Sequence, residues 1–170
     1  MKKLAAVIAL ICACYFPVSA QVQEADTLPY LKYPVLPTFE ILMEDSSTKF
    51  STYYIPDGRP VIFMYFSPDC GHCFDIAQQL LAHKDDLGKT RIYMVTPMSL
   101  AGIKDFSAKL NLKKHKNITI GKDYQFFCIN FYGIKTFPFV AVYDVNKKLI
   151  QAFPGKLTVE DVIKAVDRAR

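Results

Sequence analysis

The residues best equipped for chemistry are Cys70-Gly71-His72-Cys73, two thiols separated by two residues with an imidazole between them. A dithiol at that spacing can close into a small disulfide and open again. The tetrad lies where an apolar run, Val61 to Phe66, gives way to a helix-like pattern beginning near Phe74. A sulfur in the first turn of a helix faces unpaired backbone N–H groups and the positive end of the summed peptide dipoles. It is therefore partly ionised near neutral pH, and the thiolate is the nucleophile in disulfide exchange. His72 works in the same direction, because a cationic or hydrogen-bond-donating imidazole favours thiolate over disulfide and makes the couple more oxidising. Asp69 opposes thiolate formation, but one exposed carboxylate counts for little.

A structural disulfide and half of a zinc site are the bland alternatives for the tetrad. Structural zinc takes four ligands, usually two such pairs or one pair with two spaced histidines. The chain has three histidines, His72, His83 and His115, and the first lies inside the motif. No metal and no cofactor is therefore expected. Cys128, between Phe127 and Ile129, reads as a buried, inert thiol. Phe126, Phe127, Phe131 and Tyr132 read as core packing, Lys113 to Lys116 as a solvated loop, and Lys135 is placed near the active face.

The elements that must position the tetrad follow from apolar periodicity. Residues 21–36 carry Pro29 and Pro34 and read as an extended lead-in. Phe39 to Leu42 and Phe50 to Ile55 are expected as two short strands, the second ended by Pro56-Asp57-Gly58. Val61 to Phe66 is unbroken and apolar, as in a strand buried on both faces. Helical spacing runs from Phe74 to Leu87 and stops near Gly88. Arg91 to Thr96 is a further strand, and Ser99 caps a helix reaching about Leu110. A short strand at 117–120 precedes Asp123, placed as the cap of a helix carrying Phe126 to Phe131. Phe139 to Tyr143 and Leu149 to Phe153 are joined by a tight turn and so are antiparallel. Thr158 to Arg168 is a final helix with Thr158 and Asp161 as its capping box. Strands alternating with helices imply an α/β fold with a mixed sheet.

The amino terminus reads as a targeting segment. Lys2-Lys3 precede an apolar stretch from Leu4 to Ala13, and Val18-Ser19-Ala20 offers small residues for cleavage. Residues 1–20 are thus expected to be a secretory signal, with an oxidising, extracytoplasmic, periplasmic destination. The apolar stretch is too short to span a bilayer. A second possibility is a loose lipoprotein signal, with Cys14 lipidated as a membrane anchor. Without residues 1–20 the formal charge falls from +5 to +3, which is not a nucleic-acid footprint. Hydrophobic residues at 51% and aromatics at 14% argue for a sizeable core and against disorder. Cys70, Cys73 and Cys128 remain, an odd number that leaves one thiol over.

A strand, a Cys-x-x-Cys opening a helix, and a Pro immediately before a later strand resemble the thioredoxin superfamily. The secretory signal, the additional N-terminal strand pair and the long Cys70-to-Pro138 separation are similar to the TlpA/ResA-like branch of extracytoplasmic thiol–disulfide oxidoreductases. The likeness spans about residues 37 to 169, and the tetrad itself resembles that of protein disulfide isomerase. It implies a three-layer α/β sandwich over residues 37–170, with an N-terminal strand extension and a helical insertion before the cis-proline strand. It also implies Cys70 as attacking thiol, Cys73 as resolving thiol, a Cys70–Cys73 redox disulfide, and Pro138 as the cis-proline. Such a proline would leave the Phe137 backbone free to pair with an extended substrate.

Three positions depart from the family pattern. Asp69 stands where a Trp is usual, and Met64 and Ile76 stand where thioredoxins and ResA-like members place acids. Asp69, Asp75, Glu40 and water are the candidate proton acceptors for Cys73. The expectation is a monomeric enzyme exchanging disulfides with protein substrates and with an electron-exchange partner. A thioredoxin-like metal carrier or docking module without turnover is the competing possibility.

Overall fold

The computed structural model describes residues 28–170. The signal over 1–20, the lipidation alternative at Cys14 and the start of the lead-in lie outside the described residues. The strands are β1 (Glu40–Leu42), β2 (Lys49–Ser51), β3 (Val61–Tyr65), β4 (Arg91–Thr96), β5 (Ile118–Lys122), β6 (Phe139–Tyr143) and β7 (Leu149–Pro154). The α-helices are α1 (Pro29–Lys32), α2 (Gly71–Ala82), α3 (Lys84–Leu87), α4 (Leu100–Lys109), α5 (Phe127–Tyr132) and α6 (Val159–Ala169).

All the strands join one seven-stranded sheet in the order β2-β1-β5-β4-β3-β6-β7. β3 pairs in parallel with β4, and β4 with β5, whereas β6 runs antiparallel to both β3 and β7. β3 is an inner strand between β4 and β6, and each of its five residues is buried. Alternation along it sends Ile62 and Met64 to one face and Val61, Phe63 and Tyr65 to the other. The first face is covered by α2, α4 and α6 through Cys73, Ile76, Leu80, Ile103, Phe106, Val162 and Val166. The second is covered by α1 and α5 through Tyr30, Cys128 and Tyr132. The sandwich therefore has three layers, as the resemblance implied.

The two cores differ in chemistry. The α2 side is aliphatic, with a small aromatic group where Phe106 meets Phe66 at 4.4 Å and Phe74 at 5.9 Å between ring centroids. The α5 side is built on aromatics, with Tyr132 stacked on Phe63 at 4.9 Å and its hydroxyl 2.7 Å from that of Tyr143. Burial pushes both phenols well above the ordinary tyrosine range, so this pair stays neutral.

Several elements depart from the expected bounds, each for a local reason. The lead-in is not extended throughout: Pro29 opens the single turn α1, where a missing N–H costs nothing, and Tyr30 packs on Tyr132 and Phe139. The second strand stops at Ser51 and continues as a turn of 3₁₀ helix, Thr52–Tyr54. There the Thr52 hydroxyl accepts from Phe39 N–H at 2.9 Å and donates to the Pro37 carbonyl at 2.7 Å, drawing the chain off the sheet edge. The long helix begins earlier, at Gly71, and breaks at His83 into α2 and α3. β5 runs on to Lys122 because Gly121 lets β1 approach: a Cβ there would stand 2.9 Å from Ile41 Cδ1 and 3.0 Å from the Leu42 carbonyl oxygen. Phe126 is 52% exposed in a left-handed conformation rather than packed in the core. The Ser99 cap, the Thr158–Asp161 capping box and the antiparallel β6–β7 pair occur as expected.

Asp123 ties the aromatic core to the sheet. Fully buried, it accepts hydrogen bonds from Tyr65 Oη at 3.1 Å, Phe127 N–H at 3.0 Å and Cys128 N–H at 2.9 Å. Removing it would orphan two buried donors and a partly buried one that now bond to an acceptor carboxylate. Asp123→Ala is therefore expected to destabilise the fold by about 3 kcal/mol or more, and Tyr65→Phe by about 1–2 kcal/mol. Urea unfolding monitored by circular dichroism measures both, and a loss under about 1 kcal/mol for Asp123→Ala would contradict this account.

Candidate active site

β3 leaves the sheet at Tyr65, and the chain turns through Ser67-Pro68-Asp69, with Cys70 N–H donating to the Ser67 carbonyl at 3.1 Å. Cys70 is the residue that caps α2. Its backbone is extended, and its Sγ accepts from Cys73 N–H at 3.2 Å. Sulfur thus fills the role an oxygen usually plays at a helix start, satisfying a donor that the helix cannot. Helix α4 holds the turn from below. Gly102 makes the approach possible, since a Cβ there would lie 3.2 Å from Pro68 Cγ.

Cys70 and Cys73 are joined by a disulfide, with their Cα atoms 5.2 Å apart. Their surroundings differ sharply. Cys70 is partly exposed, while Cys73 is 0% exposed and packs with Met64 and Ile76. His72 points into solvent, and Gly71 is exposed with open space where a Cβ would sit. The sulfur at position 70 can therefore be reached from outside, and the one at 73 cannot.

The second wall of the site comes from the segment before β6. The Phe137–Pro138 peptide is cis. Pro138 is buried, and its carbonyl accepts from Gly155 N–H at 2.9 Å, joining this segment to the end of β7. Phe137 is half-buried and stacks at a tilt on Tyr65, with 5.8 Å between ring centroids. His72 and Phe137 border the same cavity of about 540 Å³, with Thr136, Pro154, Gly155 and Lys156. The structure thus brings His72, Phe137 and the carbonyl partner of Pro138 to one face.

The acids named for Cys73 are placed less favourably. Asp69 and Asp75 are exposed, and Glu40 sits on β1 with its carboxylate accepting from Tyr124 Oη at 2.8 Å. Asp123 is the fully buried acid among the described residues. It lies on the opposite face of the sheet from Cys73, with Tyr65 rather than Met64 or Ile62 as its neighbour from β3. Cys128 shares that face. Burial, reinforced by the Asp123 carboxylate, pushes its thiol well above the ordinary range, which leaves it protonated and unreactive. Among the described residues no three or more His, Cys, Asp or Glu side chains gather in a way that could hold a metal ion. No helix there is long and apolar enough to cross a membrane.

The burial difference sets an alkylation order. After mild reduction of the native protein, iodoacetamide is expected to modify Cys70 far faster than Cys73 or Cys128, whereas unfolded protein labels all three. Peptide mass mapping over a time course reads this directly, and comparable native rates at positions 70 and 73 would contradict the described asymmetry.

Solved structures of similar shape exist at low sequence identity. A secreted disulfide oxidoreductase of Mycobacterium tuberculosis, homologous to DsbE of Escherichia coli, aligns with a TM-score of 0.63 at 16% identity, covering 76% of this chain and 95% of that one. An exposed lipoprotein thioredoxin of Streptococcus pneumoniae gives 0.55 at 18% identity, covering 78% and 99%. A peroxiredoxin-like protein of Aquifex aeolicus gives 0.63 at 13% identity, covering 80% and 85%. No curated protein matches the sequence. The thioredoxin-like domain family matches residues 52–170, a span that holds the tetrad, both walls of the site and most of the sheet, and the chain belongs to that family.

Proposed function

We propose that this chain is an extracytoplasmic thiol–disulfide oxidoreductase that exchanges disulfides with proteins through Cys70 and Cys73. The observation carrying this reading is the reachable Cys70 sulfur at the start of α2, bonded to a buried sulfur one turn on. A static disulfide would gain nothing from that asymmetry. The TlpA/ResA-like resemblance supports the assignment, as do similarly folded proteins that are a secreted disulfide oxidoreductase and an exposed lipoprotein thioredoxin.

In the reducing direction the Cys70 thiolate attacks one sulfur of a substrate disulfide. A mixed disulfide forms, and the first substrate thiolate leaves and takes up a proton. Cys73 then gives up its proton and attacks the Cys70 sulfur, forming the protein disulfide and releasing the second substrate thiolate. Two electrons pass to the substrate, and an electron-exchange partner carrying a dithiol resets the protein. The same steps in reverse donate a disulfide. Only Cys70 needs to meet the substrate, because the second attack is internal.

Among the described residues, no hydrogen bond engages the backbone N–H or C=O of Phe137. That backbone supplies a strand edge along which an extended substrate pairs. With apolar Met64 and Ile76 in the cluster around Cys73, water is left as the acceptor of its proton.

Insulin reduction by dithiothreitol tests the reading. The wild-type protein should accelerate precipitation of the B chain. Cys70→Ser should abolish this, and Cys73→Ser should accumulate mixed disulfides with insulin that a non-reducing gel resolves. No turnover, together with stoichiometric metal binding, would favour a metal carrier instead. The exposed His72 sets the potential. A reduction potential between about −270 mV and about −180 mV, the values of thioredoxin and protein disulfide isomerase, is expected. His72→Ala should move it toward the thioredoxin end. Equilibration with glutathione measures both, and a wild-type value at or below that of thioredoxin would refute the role given to His72.

A further inference from the structure

We propose that the groove beside the disulfide selects substrate segments carrying an acidic residue within a residue or two of their cysteine. The inference rests on exchange at Cys70 and specifies which proteins that sulfur meets.

The groove, about 540 Å³, has Phe137, Pro154 and Gly155 as its apolar part and His72, Thr136 and Lys156 as its polar part. No carboxylate lines it. The exposed residue preceding Thr136 is another cation, Lys135. The carboxylates near the tetrad belong to other directions. Asp69 lies on the side of α4, where Lys109 pairs with Asp105 at 2.7 Å and where its pKa is raised chiefly by that carboxylate and in smaller part by Asp69. Asp75, one turn into α2, is exposed outside the groove. Charge around the reactive sulfur is therefore divided, with cations on the side where a substrate strand would lie.

Lys156 is held there by its neighbours. Gly155 has φ of +87°, donates its N–H to the Pro138 carbonyl at 2.9 Å, and leaves only 3.1 Å between a would-be Cβ and Thr136 Oγ1. On the other side Leu157 is buried, and Thr158 caps α6. The backbone of Lys156 is thus pinned between two anchored residues, and its exposed side chain borders the groove. A peptide lying extended along Phe137 turns alternate side chains toward this wall. An acidic side chain there meets Lys156 and His72, and a basic one is repelled. For exposed pairs the effect is modest and sensitive to salt.

Three synthetic peptides of one sequence test this. Each carries a single cysteine as its mixed disulfide with thionitrobenzoate, flanked on both sides by Glu, Gln or Lys. Reduced protein attacks through Cys70, Cys73 closes the protein disulfide, and one thionitrobenzoate is released and followed by its absorbance. Each rate is divided by the rate with dithiothreitol, which removes differences intrinsic to the peptides. The Glu peptide should react about fivefold faster than the Lys peptide at low salt, two increments of an exposed ion pair. The ratio should approach unity near 1 M salt. Lys156→Gln should shrink it and Lys156→Glu reverse it, in proteins whose melting temperatures match the wild type. Equal wild-type rates for Glu and Lys peptides, or an order unchanged by Lys156→Glu, would overturn the inference while leaving exchange intact. A Gln peptide that reacts with dithiothreitol but not with the reduced protein would overturn both.

Discussion

A sulfur standing in for a capping oxygen is the contact on which the site depends. The first backbone donors of α2 must find acceptors, and Cys70 Sγ takes the N–H of Cys73. That single hydrogen bond places both sulfurs of the pair within one turn, and sets the more exposed one in the field of the helix start. The surroundings serve to hold this turn in place. β3 delivers the chain from the buried interior of the sheet, α4 supports Pro68 at the closest approach Gly102 allows, and Phe106 packs against both Phe66 and Phe74. A looser turn would leave the helix without its cap and the sulfurs without their difference in exposure.

The sheet also partitions the molecule chemically. On the α2 face, aliphatic packing seals Cys73, and Met64 and Ile76 stand where the family resemblance implied acids. On the opposite face, the buried carboxylate of Asp123 binds Tyr65 and the first donors of α5. These are two separate solutions to burying polar atoms. One core surrounds the Cys73 sulfur with apolar side chains, while the other satisfies a buried carboxyl with hydrogen bonds. Tyr65 and Phe137 touch across the boundary, so the aromatic core stiffens the segment that forms the second wall of the site.

How far the chain could be read ahead of its fold varied with how strongly burial constrained each segment. β4 and β6 fall where apolar runs placed them, at Arg91–Thr96 and Phe139–Tyr143, because residues covered on two faces tolerate no polar interruption. The caps at Ser99 and Thr158 were equally legible, since each is a local bargain between a hydroxyl and nearby N–H groups. Edges were not. The end of β2 depends on a hydroxyl bonding across to the start of β1, and the extension of β5 on a glycine opposite Ile41, neither of which leaves a periodic trace. Phe126 stands in a run of core aromatics, yet its left-handed backbone turns it outward.

Local pattern was sufficient for the dithiol, its place at a helix start, the order of strands and helices, and the membership of this chain in a thioredoxin-like family. Each of these follows from residues close together in the chain. Long-range packing was required for everything that depends on which side of the sheet a residue falls: the sealing of Cys73, the removal of Glu40 to a distant strand, the isolation of Cys128 beside Asp123, and the placing of His72 and Lys156 on one groove. A strand sends successive side chains to opposite faces, so a shift of one residue exchanges the two environments, and only the assembled layers fix which is which.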